Sequence, residues 1–242
     1  MELAGKVAVV AGSGGPAARA VALGLLQAGC RVALAAPEEA DPAGTVRGLE
    51  RDLGVHGLAL PFSLDIHSEP QVSRIFRRVS EELGGAEILV AGDCTLPPRV
   101  PLVESQAEAY ERVTATYLGA TYLFCREALR LMIPRRRGHI VVLSSDLAFR
   151  ARPEFGLAAP ARFGQRALAE VLGQEARPYG VRVTGIYPGA VAEAPAAEPG
   201  GWGPAGWLQP EDVASAVLYA LSQPSHVRVE MVVLRGMGQA DG

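Results

Sequence analysis

Residues 138–189 hold two short apolar runs on either side of a helical pattern, and this arrangement decides the fold. The first run, residues 138–145, reads GHIVVLSS, and the second, residues 179–189, reads YGVRVTGIYPG. The segment between them, residues 157–176, reads LAAPARFGQRALAEVLGQEA and repeats apolar residues at helical spacing from about Ala159. Because parallel strands require a crossover connection, usually a helix, the stretch predicts a strand–helix–strand unit with parallel strands.

The same alternation of strand and helix extends through the rest of the chain. Short apolar runs predict five further strands, and helical spacing with end signals predicts five further helices. The predicted strands lie at residues 5–12, 31–36, 58–64, 86–92 and 228–236. The predicted helices lie at about residues 17–30, 45–53, 68–85, 105–134 and 209–224. We expect the long fourth helix of this set to stop at Pro134, since proline disrupts a helix interior.

Strands that are apolar along their whole length are typical of a parallel sheet covered on both faces. The order of the elements therefore predicts an α/β fold, a Rossmann-like doubly wound parallel sheet in three α/β/α layers. With 242 residues and 49% hydrophobic content, the chain is long enough to bury one large core. We expect a single domain over residues 1–242.

Composition argues against several classes of partner. The net charge of −3 is unlike the clustered basic surface of a nucleic-acid-binding protein. The one basic run, residues 135–137, falls between a helix and a strand and is interpreted as a solvated turn. No apolar run approaches the roughly 18 residues of a membrane span. We expect a soluble, cytoplasmic protein that binds neither nucleic acid nor membrane.

The three cysteines do not have the spacing of metal ligands. Cys30 and Cys125 fall within apolar patterns and are interpreted as core residues, and Cys94 follows the fourth predicted strand. The sequence therefore predicts no metal site.

A glycine-rich turn follows the first strand and precedes the first helix. Residues 11–19 read AGSGGPAAR, and Gly12, Gly14 and Ala17 match the spacing of the dinucleotide fingerprint. Ligands of open parallel sheets bind outside the carboxyl ends of the strands, where this turn lies. Pro16 offers no backbone N–H to a phosphate but is tolerated in the first turn of a helix. The residues expected to contact a nicotinamide dinucleotide are those of the turn itself: Gly12, Ser13, Gly14 and Gly15.

Along almost its whole length the chain resembles the short-chain dehydrogenase/reductase family. The segments GKVAVVAG, GHIVVLSS, YGVRVTGIYPG and the closing HVRVE carry the resemblance. It implies an NAD(P)-dependent oxidoreductase that uses a tyrosine acid/base, a lysine, a serine and an asparagine. Ser145 stands at the serine position, but the tyrosine position thirteen residues later is Ala158. The lysine position is Arg162, and the asparagine position is Thr116.

This departure matters because hydride transfer to a carbonyl requires a proton on the oxygen. Arginine stays charged and is a poor acid or base, although it binds phosphate, ribose or an oxyanion. The only lysine, Lys6, begins the first strand, and residues 123–178 contain no tyrosine. Ser145, Arg162 and Thr116 are therefore the candidate catalytic residues. Arg162 also resembles the arginine of the halohydrin dehalogenases, a non-redox branch that nevertheless keeps its tyrosine.

The resemblance assigns further cofactor positions. They are Asp65 for the adenine, Ala91 and Gly92 after the fourth strand, and Pro188 and Gly189 after the sixth. Asp65 is equally open to interpretation as a helix-cap or turn residue. The end of the second strand, which commonly distinguishes NAD from NADP by an acidic residue or an arginine, reads Ala36 and Pro37. NAD and NADP therefore both stay open.

Four carboxylates and one long loop surround the expected cleft. The carboxylates are Asp93, Asp146, Glu154 and Glu193, each interpreted as a solvated loop group. Residues 190–208, rich in alanine, proline and glycine, predict a loop. As a lid, this loop would line a pocket with Trp202 and Trp207; the alternative is a merely mobile loop.

Three functional hypotheses follow. The first is a divergent family member that retains a nucleotide or small-ligand cleft without ordinary carbonyl redox chemistry. The second is a non-catalytic partner subunit, since the resemblance implies homo- or hetero-oligomers formed through the long helix and the helix that begins near Ala159. The third is a working oxidoreductase with an acid/base relocated to another position.

Overall fold

The computed structural model describes residues 2–92, 95, 99–192 and 206–238, and within them seven strands form one parallel sheet. The strand order is β3-β2-β1-β4-β5-β6-β7. The strands are β1 (Val7–Ala11), β2 (Arg31–Ala36), β3 (Ala59–Ser63), β4 (Ile88–Gly92), β5 (Gly138–Leu143), β6 (Val181–Pro188) and β7 (Met231–Leu234). The predicted doubly wound fold is confirmed.

Helices cover both faces of the sheet. They are α1 (Pro16–Gln27), α2 (Pro42–Leu53), α3 (Glu69–Leu83), α4 (Ala107–Thr114), α5 (Ala120–Arg135), α6 (Ala159–Ala176) and α7 (Pro210–Ser222). One buried cluster joins α1, α2 and α7 to the sheet, and another joins α3, α5 and α6 to the opposite face. This two-sided cover explains why every residue of β1 and of β6 is buried, and why β1 is apolar along its whole length.

The helix α2 begins at Pro42, three residues before the predicted start at Thr45. Asp41 is its N-cap, and the carboxylate accepts a hydrogen bond from the backbone N–H of Gly44 at 2.8 Å. An aspartate N-cap followed by proline at the first helical position is a strong start signal. The sequence contained this signal, and the prediction overlooked it.

The long predicted helix is divided. The α4 segment ends at Thr114, residues 115–119 form a π-helical turn, and α5 continues from Ala120. The predicted stop at Pro134 is off by one residue, because Pro134 lies in the last turn of α5 and the chain reverses at Arg136 with φ +51°. Pro134 has no N–H to donate to the carbonyl four residues earlier, and the helix ends one residue after it.

The strand order places one crevice at the centre of the sheet. The order reverses between β1 and β4, so the loops after these two strands diverge at the carboxyl edge. No helix in the described residues is long and apolar enough to cross a membrane. Asp93, Cys94, Glu193, Trp202 and most of the predicted lid lie outside the described residues.

Candidate functional site

The glycine turn after β1 combines a glycine at positive φ with a helix start that has no side-chain cap. Gly14 adopts φ +82°, and a Cβ there would lie 2.6 Å from the Cβ of Ala40. Glycine is therefore required at this position for both conformation and space. Gly12 continues the pairing with β2 by donating its N–H to the Ala35 carbonyl at 3.2 Å. Gly15 is the N-cap of α1 and has no side chain to accept hydrogen bonds from the first-turn N–H groups.

Two further observations fit a dinucleotide phosphate at this turn. The hydroxyl oxygen of Ser13 is buried and has no hydrogen-bond partner among the described residues, which favours a ligand as its partner. Pro16 occupies the first helical position, where its missing N–H removes one donor but leaves those of the following residues. An uncapped helix N-terminus attracts anions through these N–H groups. The residues present therefore fit a pyrophosphate.

A cleft of about 600 Å³ opens beside this turn, and it collects several residues that the sequence singled out separately. Ser13, Asp65 and Thr116 line the cleft. Asp65 also forms the turn after β3, because its carboxylate accepts the N–H of His67 at 2.9 Å. The interpretation of Asp65 as a turn residue is therefore confirmed, and its contact with an adenine stays a prediction. The Thr116 hydroxyl donates to the Arg112 carbonyl at 2.8 Å. The same hydroxyl oxygen of Thr116 lies 3.2 Å from Nε2 of His67.

The remaining assigned cofactor positions lie at the carboxyl ends of β4 and β6. Ala91 is buried in β4. Gly92 adopts φ +111°, and a Cβ there would lie 2.1 Å from the Leu143 carbonyl oxygen. Pro188 ends β6, and Gly189 donates its N–H to the Leu234 carbonyl at 2.8 Å. These four residues lie at the same edge of the sheet as the glycine turn, as their places in the sequence predicted.

Ser145 is buried at the end of the segment GHIVVLSS. It is the N-cap of the short turn over residues 146–148, and its hydroxyl accepts the N–H of Leu147 at 3.3 Å. The neighbouring Ser144 points elsewhere, since its hydroxyl donates to Oε1 of Gln165 at 2.7 Å. The two hydroxyls therefore bond to different segments. That of Ser144 contacts α6, and that of Ser145 contacts the short turn that leads toward Ala158.

The position that the resemblance assigns to tyrosine is buried in an apolar cluster. Ala158 is 0% exposed and belongs to a cluster with Tyr117, Leu147, Phe155 and Ala161. Its methyl group has no proton to exchange. The nearest phenol in this cluster is that of Tyr117, which comes from the π-helical turn between α4 and α5. A tyrosine from another segment, residues 115–119, therefore packs in the same buried cluster as Ala158.

Arg162 is fully buried and is held by several partners. One guanidinium nitrogen donates to the Thr95 carbonyl at 2.6 Å, and another donates to Oε1 of Gln165 at 3.1 Å. The guanidinium carbon lies 3.7 Å from the centre of the Tyr117 ring, a cation–π contact. The Tyr117 hydroxyl also donates to the Thr95 carbonyl, at 3.1 Å. The guanidinium therefore cross-links α6, the π-helical turn and the loop after β4.

Gln165 completes this buried network. Its amide nitrogen donates to the Tyr117 carbonyl at 3.0 Å and to the Thr121 hydroxyl at 2.8 Å. The Thr121 hydroxyl in turn donates to the same carbonyl at 2.6 Å. A π-helical turn removes the usual helical partner of a carbonyl, and here side chains supply the replacement. Polar networks of this kind, once buried and satisfied, hold a region rigid.

The carboxylates near the cleft differ from one another. Glu154 is exposed, as predicted. The interpretation of Asp146 as a solvated loop group is wrong, because its side chain is 3% exposed and pairs with Arg152 at 2.9 Å and Arg235 at 3.5 Å. Arg152 lies six residues from Asp146 in the same connection between β5 and α6, whereas Arg235 follows β7. Through these pairs, Asp146 joins the connection between β5 and α6 to the segment that follows β7.

Comparison with known proteins identifies the family. The profile of the short chain dehydrogenase family matches residues 6–199. The chain belongs to this family. An alcohol dehydrogenase from the archaeon Thermococcus sibiricus, complexed with 5-hydroxy-NADP, is 26% identical with a TM-score of 0.85, over 98% of this chain and 99% of that one.

Two similar sequences extend the comparison. An uncharacterized oxidoreductase of Staphylococcus saprophyticus is 28% identical over 97% of this chain and 99% of its own length. The glycine betaine reductase of Emericella nidulans is 30% identical over 96% of this chain, which spans only 19% of that longer protein. The short-chain dehydrogenase fold is thus shared over nearly the full length of this chain.

Sequence reasoning missed three contributors to the site. Tyr117 follows Thr116 directly in the segment TYLG, where only the threonine was considered. Glu38 and Glu39 line the cleft and directly follow Ala36 and Pro37, the two positions at which a nucleotide preference was sought. In both cases the sequence signal was an ionisable residue adjacent to a position assigned by resemblance.

Proposed function

We propose that this short-chain dehydrogenase binds a nicotinamide dinucleotide in the cleft beside Gly12–Gly15 and does not use the tyrosine–lysine chemistry of its family. The observation that carries the proposal is the state of Arg162, whose guanidinium is buried and bonded to Thr95, Gln165 and Tyr117. A residue held in this way stabilises the site and does not transfer protons, because arginine stays charged. Ala158 beside it offers no acid or base.

The glycine turn supports the binding half of the proposal. The buried Ser13 hydroxyl without a described partner, the requirement for glycine at position 14 and the uncapped start of α1 all favour a phosphate group. The similarity to an alcohol dehydrogenase complexed with 5-hydroxy-NADP supports a ligand of the same class here. When bound, such a nucleotide supplies or accepts a hydride; the residues of this chain position it.

The binding half is tested by replacing Gly15 with aspartate. Aspartate is a favoured N-cap residue, and a Cβ at position 15 would lie 3.4 Å from Cγ2 of Thr95, so we expect the fold to be retained. The new carboxylate would compete with a phosphate for the first-turn N–H groups. We expect Gly15→Asp to weaken binding of NADH or NADPH at least about tenfold, measured by fluorescence titration.

Gly15→Ser is the matched control, because serine caps the helix without adding charge. We expect its dissociation constants to lie closer to those of the wild type than to those of Gly15→Asp. Undiminished binding by Gly15→Asp, at an unchanged melting temperature, would contradict a phosphate site at this turn.

A second function, the working oxidoreductase with a relocated acid/base, is favoured by one specific observation. Tyr117 lies in the same buried cluster as Ala158, with its ring against the Arg162 guanidinium. This arrangement brings a phenol and a cation together in the region where the family has tyrosine and lysine. A neighbouring cation favours the ionised form of an acid. Under this alternative, Tyr117 donates the proton to the carbonyl oxygen as the hydride reaches the carbon.

The two functions are separated by turnover of NADH and NADPH with a panel of aldehydes and ketones, before and after Tyr117→Phe. The first function gives no carbonyl-dependent oxidation in either protein. The second gives turnover that Tyr117→Phe lowers about 100-fold, while the loss of one hydrogen bond costs only about 1 kcal/mol of stability. Tyr122→Phe is the control, because Tyr122 is exposed on α5.

Association with further family subunits stays a prediction. The helices named for it expose apolar side chains, among them Tyr122 on α5 and Phe163 and Val171 on α6. Short-chain dehydrogenases are commonly oligomeric, and these side chains provide apolar area for such contacts. Sedimentation of the purified protein, alone and mixed with a related active subunit, distinguishes a monomer from a homo- or hetero-oligomer.

A further inference from the structure

The cleft beside the glycine turn meets the π-helical turn at one residue, Thr116. Among the described residues that line the cleft, Thr116 alone comes from the segment between α4 and α5. The others belong to the glycine turn or lie within residues 37–71. Thr116 directly precedes Tyr117, whose ring lies against the Arg162 guanidinium. A residue that lines the cleft is therefore adjacent in the chain to the buried tyrosine.

The imidazole of His67 holds Thr116 from the side of the cleft. Its Nε2 lies 3.2 Å from the Thr116 hydroxyl oxygen. Because this hydroxyl donates its one proton to the Arg112 carbonyl, the oxygen is left to accept a proton from Nε2. The hydrogen bond joins the loop after β3 to the π-helical turn, across 49 positions of the sequence.

The loop after β3 fixes the ring of His67. The Asp65 carboxylate accepts the backbone N–H of His67 at 2.9 Å, and the same oxygen lies 3.4 Å from Nδ1 of the ring. The backbone N–H of Asp65 in turn donates to Oε1 of Gln71 in α3 at 3.1 Å. A ring that is oriented in advance loses less conformational entropy when it bonds to Thr116.

The buried network holds the same turn through its next residue. The Tyr117 carbonyl accepts the amide of Gln165 at 3.0 Å, and the Tyr117 hydroxyl donates to the Thr95 carbonyl at 3.1 Å. A π-helical turn removes the usual partners of helical carbonyls, so side chains such as these stabilise it. His67 adds a contact to this turn from the cleft.

We propose that His67 is a positioning residue that couples the cleft to Tyr117. Through its bond to Thr116, His67 keeps the π-helical turn in the conformation that places Tyr117 against Arg162. A ligand that rests on His67 restricts the ring and stabilises this conformation, and by linkage the conformation favours the ligand. The positioning role depends on contacts within the chain alone, whereas the coupling rests on the proposed binding of a nicotinamide dinucleotide.

The positioning role is tested by amide hydrogen exchange at residues 115–119 of the full chain without ligand. His67→Phe keeps a ring but removes the donor, and His67→Gln keeps an N–H donor. We expect exchange to accelerate about fivefold in His67→Phe, as for the loss of one hydrogen bond, and about twofold or less in His67→Gln. His56→Phe is the control, since His56 is exposed at the surface, and should match the wild type.

Thr116→Val tests the same bond from its other end, because valine removes the acceptor. We expect faster exchange at residues 115–119 in this variant as well. Adding His67→Phe to it should accelerate exchange by less than about twofold, since two residues that act through one bond are not additive. Full additivity of the two changes would show that the bond between His67 and Thr116 does not hold the turn.

The coupling is tested by repeating the exchange measurement with a saturating concentration of NADH or NADPH. We expect the nucleotide to slow exchange at residues 115–119 at least about threefold in the wild type and in His67→Gln. In His67→Phe the slowing should be largely lost. A nucleotide that slows exchange equally in the wild type and in His67→Phe would leave binding in place and overturn the coupling.

The remaining outcomes separate this inference from the function beneath it. If neither nucleotide binds to the wild type, the proposed function and the coupling are both wrong, and the measurement without ligand still decides the positioning role. If His67→Phe exchanges as slowly as the wild type, that role is wrong. If His67→Gln exchanges as fast as His67→Phe, the donor is not what holds the turn, and the role assigned to the hydrogen bond is wrong.

Discussion

Replacing Arg162 with alanine is expected to lower the free energy of unfolding by about 3 kcal/mol. The change removes two hydrogen bonds from a charged donor, to the Thr95 carbonyl and to Gln165, and each is worth about 1.5–3 kcal/mol. It also removes the cation–π contact with Tyr117 and leaves a cavity. Part of this loss is offset, because the alanine variant no longer carries the free-energy cost of burying a charged group. Urea unfolding at pH 7.5 measures the difference.

Arg166→Ala is the matched control, because Arg166 lies one turn later on the same helix. Its guanidinium pairs with Glu170 at 2.9 Å and lies over Phe149 in a partly exposed position. Such pairs contribute about 1 kcal/mol or less. Arg162→Lys is an intermediate case, since lysine keeps the charge but cannot bond two acceptors in one plane. If Arg162→Ala is as stable as Arg166→Ala, Arg162 is not the buried cross-link described above.

The elements of this fold could be predicted because their signals are local. The opening stretch is the best example: its two apolar runs became β5 and β6, paired in parallel from Gly138 and Val181 onward. The glycine turn was equally local, since strand, turn and helix follow each other within a few residues. Even the departures at Ala158 and Arg162 could be located by counting from Ser145.

The chemistry of the site could not be predicted, because its contacts join distant segments. Arg162 bonds to the carbonyl of Thr95, 67 residues away. Tyr117 packs in the same cluster as Ala158 from a π-helical turn at residues 115–119. Side-chain periodicity does not distinguish this turn from an α-helix. Asp146 was interpreted as a solvated carboxylate, but it is buried between Arg152 of its own segment and Arg235, which follows β7. Position in the sequence therefore identified the residues, and packing determined what each of them does.

The absence of a tyrosine at position 158 has to be interpreted together with this packing. The sequence indicated that the proton-handling groups were missing from the cleft. The structure instead brings a phenol from the π-helical turn against the guanidinium of Arg162. The distinction between a binding protein and a non-standard enzyme now depends on one hydroxyl group, that of Tyr117, which hydrogen-bonds to Thr95 in the structure.

Acid is expected to destabilise this protein through a histidine in the stretch that defines the fold. His139, the second residue of β5, is fully buried, and burial lowers its pKa to about 3, with Arg182 and Lys6 adding to the effect. The unfolded chain has a histidine pKa of about 6.5. Between these values the unfolded state binds a proton that the folded state does not, so stability falls as the pH falls.

The loss amounts to about 1.4 kcal/mol per pH unit below 6.5, or about 2 kcal/mol at pH 5. Nε2 of His139 lies 2.8 Å from the Thr184 hydroxyl, whose own proton goes to the Val229 carbonyl. His139→Gln keeps an N–H donor for this contact but does not titrate. We therefore expect the variant to lose about 2 kcal/mol less than the wild type between pH 7.5 and pH 5, measured by urea unfolding.

The control for this measurement is His56→Gln, since His56 is exposed at the surface. We expect that variant to follow the wild type at both pH values. Equal losses in the wild type and in His139→Gln would show that His139 accepts its proton while still folded. That result would require water to reach the start of β5, because only solvent or a carboxylate stabilises an imidazolium there. It would contradict the closed packing of β5 between β4 and β6, on which the placement of Ser145 and the cleft depends.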